Sequence, residues 1–542
     1  MKKTILGIVA LGLVAGTAAR PAAGPVPERE AVVHVLNRIG FGPRPGDVEK
    51  VQALGIERYI DQQLHPERIP DAGMDARLSG LKTVTLSSKQ ISEQYEQPLI
   101  QARRARKDTQ GASQPANGAP DAKVPRPRPG GPQQAANTVV IELSEQKLLR
   151  AIHSERQLQE VLAEFWFNHF NVDARKGRVR FMLTEYERDA IRPHVLGSFR
   201  DLLGATAKSP AMLFYLDNFM SASGLGQQAA RPGRVGGRRP GQPTPPQAQL
   251  PQAKNRTPRG LNENYGRELM ELHTLGVDGG YSQKDVTEVA RAFTGWTIGN
   301  PRDMAARGGA AAIGGRSGFF FNPRIHDDGE KVVLGRRIRA GGGMEDGEQV
   351  LDMLAAHPAT ARFIATKLSR RFVSDTPPAA LVDRVAARFT ATNGDLREVM
   401  RTLLLSQEFL SPETVRAKIK TPFEFLVSAL RATAATVSSA RPLIRTMQDL
   451  GMPLYHCQPP TGYKDTADAW ASTGALVNRM NVAQALGAGR LAGTTVNTPE
   501  TRTTLEALVP GLSDATRATM ARATNEAEQL ALTLGSPEFQ RR

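Results

Sequence analysis

The sequence predicts an all-α, or nearly all-α, globular protein that carries one small β-hairpin and two disordered basic insertions. Three observations predict it. Apolar residues recur at i, i+3, i+4 and i+7 along almost every polar-flanked stretch, the signature of core-facing helices. Strand-prone runs are confined to Phe319–Phe321 and Val332–Leu334, which bracket an Asp328-Gly329 turn. Two long segments are rich in Pro, Gly, Gln and Ala and cannot bury enough surface to offset their ordering entropy.

In chain order, Lys2 and Lys3 precede an uncharged run from Thr4 to Ala19 that ends in small residues. Residues 1–23 therefore read as a signal peptide, which predicts a periplasmic or secreted protein. That run is too short and too interrupted by glycine for a membrane span, and no later stretch approaches the roughly 20 apolar residues a span needs. Residues 28–100 form an N-terminal helical part, with a clear stripe from Gln52 to Leu64. Residues 101–137 are the first basic insertion. A helical core follows over 138–221, where Leu158, Val161, Leu162, Phe165, Trp166, His169 and Phe170 share one face. His169 is thus expected to be a buried, hydrogen-bonded core residue. Residues 222–260 are the second insertion, and 261–542 are a further helical core with the hairpin near 319–334. A Gly/Ala-rich stretch at 303–318 reads as a surface loop.

A single cysteine, Cys457, excludes an internal disulfide, so stability must come from a large apolar core. The formal charge of +16 invites a nucleic-acid reading, but the two insertions together carry +12 of it. The folded body is close to neutral. Nucleic acid is therefore not an expected partner, and an anionic envelope surface is the partner that the insertions could touch.

Candidate chemistry concentrates between Leu261 and Trp296. On a wheel of about 100° per residue, Leu272, Tyr265 and Leu269 make a core stripe, and Asn264, Glu268 and Glu271 make a carboxylate stripe beside it. Glu268 and Glu271 are close enough to share a metal, a proton or a hydroxyl. They are candidate catalytic residues, with Asn264 and Arg267 as candidate binding residues. The competing reading is a solvated ladder of Glu263, Arg267 and Glu271. His326 and Asp327 precede the Asp-Gly turn and are candidate catalytic partners delivered from a hairpin tip. In the stiff loop PLYHCQPPTGYKD at 453–465, His456 and Tyr463 are the groups with chemistry, and Tyr463 is a candidate binding residue. HExxH, Walker A, GxSxG and paired CxxC motifs are absent from the sequence. The cofactor is unspecified; the carboxylates would suit a divalent metal ion.

The run ENYGRELMELHTLGVDGGYSQKDVTEVARAFTGW, with NRIGFGPRPGDV from residue 37, FWFNHF from 165, HDDGEKVVLG from 326, HPATARFIATKLSRRFV from 357 and the closing SPEF, resembles the bacterial family known as domain of unknown function 1800. The resemblance spans nearly the whole mature chain. It implies large, exported, predominantly helical proteins, often encoded beside an exported protein that looks like the alkaline phosphatase and sulfatase superfamily, a possible partner. It brings no assigned catalytic residues. Two function classes follow from residues and resemblance together. One is a hydrolase or transferase acting on an envelope or extracellular polymer through a carboxylate/histidine cleft. The other is a non-catalytic envelope scaffold or assembly partner of an exported enzyme.

Overall fold

Helical periodicity in the sequence becomes helix in the computed structural model, which describes residues 26–112, 131–223, 260–299, 318–496, 505 and 511–542. Residues 1–23, the centres of both basic insertions and nearly all of the 303–318 stretch lie outside these residues. The described chain is predominantly helical, with three two-stranded antiparallel sheets. One apolar core runs from the Glu28–Arg38 helix to Phe539 near the C-terminus. No helix among the described residues is long and apolar enough to cross a membrane.

Local chemistry sets the helix starts. Pro358 occupies the first turn of the Pro358–Phe372 helix, and the His357 ring caps it by accepting from the Ala359 amide. Thr421 and Glu424 form a capping box on the Pro422–Ala432 helix, all of whose residues are buried. Gly266 lets the Glu263–Glu268 helix press on its neighbour Gln283–Ala292: a Cβ there would stand 2.8 Å from the Val286 carbonyl oxygen.

The structure differs from the sequence reading in three places, each for a local reason. Helix covers both margins of the 101–137 segment, as Gln97–Ala112 and Pro132–His153. There Leu99, Ala136 and Val139 meet Ile91 and Phe181 in a second small core, and arginine is a good helix former on the exposed face. The two strand-prone runs do form strands, but they do not pair with each other. Phe319–Phe321 pairs with Trp296–Ile298, and Lys331–Val333 pairs with Arg336–Ile338. The tight turn falls at Leu334 and Gly335, both at positive φ (50° and 75°), which matches the twist of a two-residue hairpin. The Asp327 carboxylate instead accepts the Gly329 amide at 3.0 Å and folds Asp328-Gly329 into a local turn. Finally, the helix that starts at Glu263 widens into a π-turn over Leu269–Thr274. The wider turn rotates Leu272 to a half-buried position and brings Met270 and His273 into the core.

Candidate functional site

Three elements enclose a cleft of about 340 Å³. The Gln157–His169 helix contributes Glu164, Phe165, Asn168 and His169; the Pro358–Phe372 helix contributes Lys367, Arg370 and Arg371; and the loop from Met452 to Thr466 closes over them with Tyr463 and Asp465. The helical spacing i, i+4 puts Glu164 and Asn168, and likewise Lys367 and Arg371, on one face each. The loop is clamped to the first helix by a reciprocal pair. Asn168 donates to the Tyr463 carbonyl at 2.8 Å, and its Oδ1 accepts the Tyr463 amide at 2.7 Å. Gly462, at φ +73°, passes so near that a Cβ would stand 2.2 Å from the Asn168 carbonyl oxygen.

At the inner end, the Lys367 ammonium donates to His169 Nδ1 at 2.8 Å, and His169 Nε2 lies 3.1 Å from the His273 carbonyl oxygen. These contacts fix one tautomer: Nε2–H donates to the carbonyl, and Nδ1 offers its lone pair to Lys367. Burial, reinforced by Lys367, pushes His169 well below the usual histidine range, so the ring is neutral. Lys367 is partly buried and makes no ion pair among the described residues, the Asp465 charge acting on it only from a distance. Burial pulls its amine down to about 8. Across the cleft, burial raises Glu164 above the ordinary carboxylate range, against the opposing pull of Arg371 and Lys147. Arg371 is held by Glu424 at 2.8 Å and Asp465 at 3.5 Å. Asp465 Oδ2 is buried without a hydrogen-bond partner among the described residues. The cleft therefore holds an amine poised near neutrality, a carboxyl that keeps its proton longer than usual, and an unsatisfied carboxylate oxygen.

The family described as Protein of unknown function (DUF1800) matches this chain over residues 34–541. The chain belongs to that family. No curated protein and no solved structure matches it.

In this DUF1800 protein only Tyr463 of the site residues singled out from sequence lines the cleft. Its hydroxyl donates to the Pro453 carbonyl at 2.9 Å. Glu268 is half-buried and has no hydrogen bond or ion pair among the described residues; burial raises its carboxyl, and the charge of Glu271 adds to the shift. Its charge reaches Tyr215, whose hydroxyl donates to the Gln458 carbonyl in the same closing loop. Glu271 accepts from the Tyr281 hydroxyl at 3.1 Å. Arg267 donates to Gln283, which in turn donates to Glu263, so the Glu263–Arg267–Glu271 ladder does not form. Asn264 is exposed.

His326 and Asp327 sit elsewhere, in a closed network. The His326 ring lies 2.7 Å from the Thr294 carbonyl oxygen and 3.2 Å from Asp346 Oδ2. Lys331 commits its three N–H groups to the carbonyls of Asp327 and Gly329 and to Asp346. Asp327 pairs with Arg291 at 2.9 Å. Among the described residues no hydrogen bond or ion pair joins this network to Glu268 or Glu271.

No group of three or more His, Cys, Asp and Glu side chains among the described residues is arranged to hold a metal ion. His169 is buried and hydrogen-bonded, as its place on the apolar stripe predicted. Sequence reading passed over Lys367, Arg371 and Glu164. A signal was there: on the wheel of the Pro358–Phe372 helix, Lys367 and Arg371 lie within about 60° of Ile364, on the apolar face. Two cations on a core stripe need either partners or a cavity.

Proposed function

We propose that this protein is an exported hydrolase or transferase that acts on an envelope or extracellular polymer, with the Lys367 cleft as its reaction site. The observation that carries the reading is Lys367: a partly buried amine that makes no ion pair among the described residues, oriented by a neutral histidine and opening into a cleft that also holds Asp465. Structural ammonium groups are saturated or paired, because an isolated buried charge is costly. A group left unsatisfied beside a cavity is a candidate for proton transfer.

In its neutral form Lys367 can keep donating one N–H to His169 Nδ1 and present its lone pair to the cleft. It would take the proton of an attacking water or acceptor hydroxyl. Glu164, whose burial favours the protonated form, would return a proton to the leaving oxygen. Arg370 lines the same wall and suits a substrate that carries or develops negative charge, whereas Arg371 is committed to Glu424 and Asp465. The charged N-region and apolar run at the start of the chain support export.

The test is direct. Full-length protein is incubated with isolated cell-wall sacculi and with lipopolysaccharide, and released soluble fragments are measured by mass spectrometry, with Lys367→Met as control. Fragments from the wild type, lost in the variant and rising towards pH 8, are the expected result. Release that survives Lys367→Met would move the site elsewhere, and no release from any polymer would favour the scaffold reading.

A further inference from the structure

A second cleft, of about 260 Å³, lies at the other end of the Pro422–Ala432 helix, whose first turn touches the Lys367 cleft through Thr421. Its polar lining is Arg44, Arg77, His153, Arg431 and Thr436, with no carboxylate among the lining residues. Arg431 is buried and immobilised: Nε donates to the Gly42 carbonyl at 2.7 Å and Nη1 to the Ile152 carbonyl at 2.8 Å. Asp47 and Glu155 hold Arg44, and Asp47 also pairs with Arg431. These carboxylates orient the guanidiniums without lining the cavity. Arg77 is exposed, with no ion pair among the described residues. His153 Nε2 is enclosed and has no hydrogen-bond partner among the described residues.

We propose that this cleft binds a phosphate-type oxyanion through Arg77, Arg44, Arg431 and His153. Among the described residues the Arg77 guanidinium and Arg44 Nη1 make no hydrogen bond and keep N–H donors that phosphoryl oxygens match, while Arg431, with each nitrogen engaged by Gly42, Ile152 or Asp47, adds charge to the wall. The His153 ring supplies a further donor whose nitrogen would otherwise be buried unsatisfied. Burial, then Arg77, Arg431 and Arg44, pushes His153 down to about 4, which reports the positive field an anion would meet there. The volume admits a phosphoryl group with a few attached atoms, so the phosphate can be free or part of a headgroup.

Isothermal titration of the full-length protein with inorganic phosphate, in parallel with Arg77→Gln and His153→Gln, tests this. Binding that weakens about tenfold in Arg77→Gln is expected, the loss of one charge-assisted contact. The Arg77 side chain is exposed, so the variant should fold; His153→Gln guards against compensation at that position. No phosphate binding up to about 10 mM, a concentration beyond which an association is worth under about 3 kcal/mol, or binding indifferent to both substitutions, would overturn the proposal. Sedimentation with phosphatidylcholine vesicles, with and without phosphatidate, separates the sources: capture by phosphatidate vesicles assigns a headgroup, and phosphate binding without capture assigns a soluble phosphate.

Discussion

Two lysine–histidine clusters in one molecule behave oppositely. Around Lys331 every donor is used: two carbonyls and Asp346 take its three N–H groups, and His326 lies against the same carboxylate. Around Lys367 one N–H meets a neutral ring, and the rest of the ammonium faces a cleft. Lys331 is fully buried and Lys367 only partly, so burial alone does not mark a site. What separates them is the saturation of the lysine's own donors, since Asp346 Oδ1, like Asp465 Oδ2, is buried without a hydrogen-bond partner among the described residues. A closed network fixes the sheet-bearing region to the Met344–Ala355 helix through Asp346, whereas an open one leaves a group able to exchange a proton with something that enters.

The comparison breaks most visibly through Lys331→Met. That change leaves Asp346 buried opposite no cation, so a loss of about 3–5 kcal/mol in denaturant unfolding is expected; a loss under about 1 kcal/mol would mean that the network is not saturated as described. Lys367→Met should go the other way at neutral pH, because burial disfavours the Lys367 cation by more than the distant Asp465 charge favours it. Since burial depresses Lys367 from 10.5 to about 8, the unfolded chain holds more protons between those values, and wild-type stability rises with pH across that window. Below about pH 8 the cost is fully present, on the order of 3 kcal/mol. The variant should lack that slope, and an unchanged slope would place the depression elsewhere.

Gly462→Ala sharpens the comparison by opening the roof without touching a charged group. Its positive φ and the Asn168 backbone leave no room for a methyl group, so a cost of about 1–3 kcal/mol is expected, together with faster amide exchange at Tyr463. Glu268→Gln has the smallest effect. Burial and the Glu271 charge raise Glu268 in the fold, so its ionised form costs stability as pH rises through the carboxylate range. At a half-exposed position that amounts to a few tenths of a kcal/mol, and the variant should be slightly more stable near pH 7. A destabilised variant would reveal a partner for the carboxylate.

Much of the fold was legible because helix is a local decision. The stripe from Leu158 to Phe170 predicted its helix and the burial of His169, and both strand-prone runs formed strands. Strand partners were not legible, because pairing depended on Leu334 accepting a left-handed conformation that its residue type disfavours. The site was half legible. Tyr463 belongs to the closing loop and Glu268 acts on Tyr215, which bonds to that loop, but the π-turn at Leu269 changed which residues the helix buries, and nothing in the sequence announces such a turn. His326 looked available because its run carries turn residues; in the fold, Asp346, 20 positions later, encloses it. Lys367 was overlooked because a lysine in an amphipathic helix is ordinarily solvated.

The central claim is that Lys367 is open and poised while Lys331 is closed. Competitive acetylation of the native protein with trace acetic anhydride across roughly pH 6–11, read lysine by lysine by mass spectrometry, measures both properties at once. Lys367 is expected to label with a midpoint near 8, and Lys331 to stay unlabelled until the protein unfolds. Lys367 labelling with the ordinary midpoint near 10.5, or Lys331 labelling alongside it in the folded state, would contradict the claim.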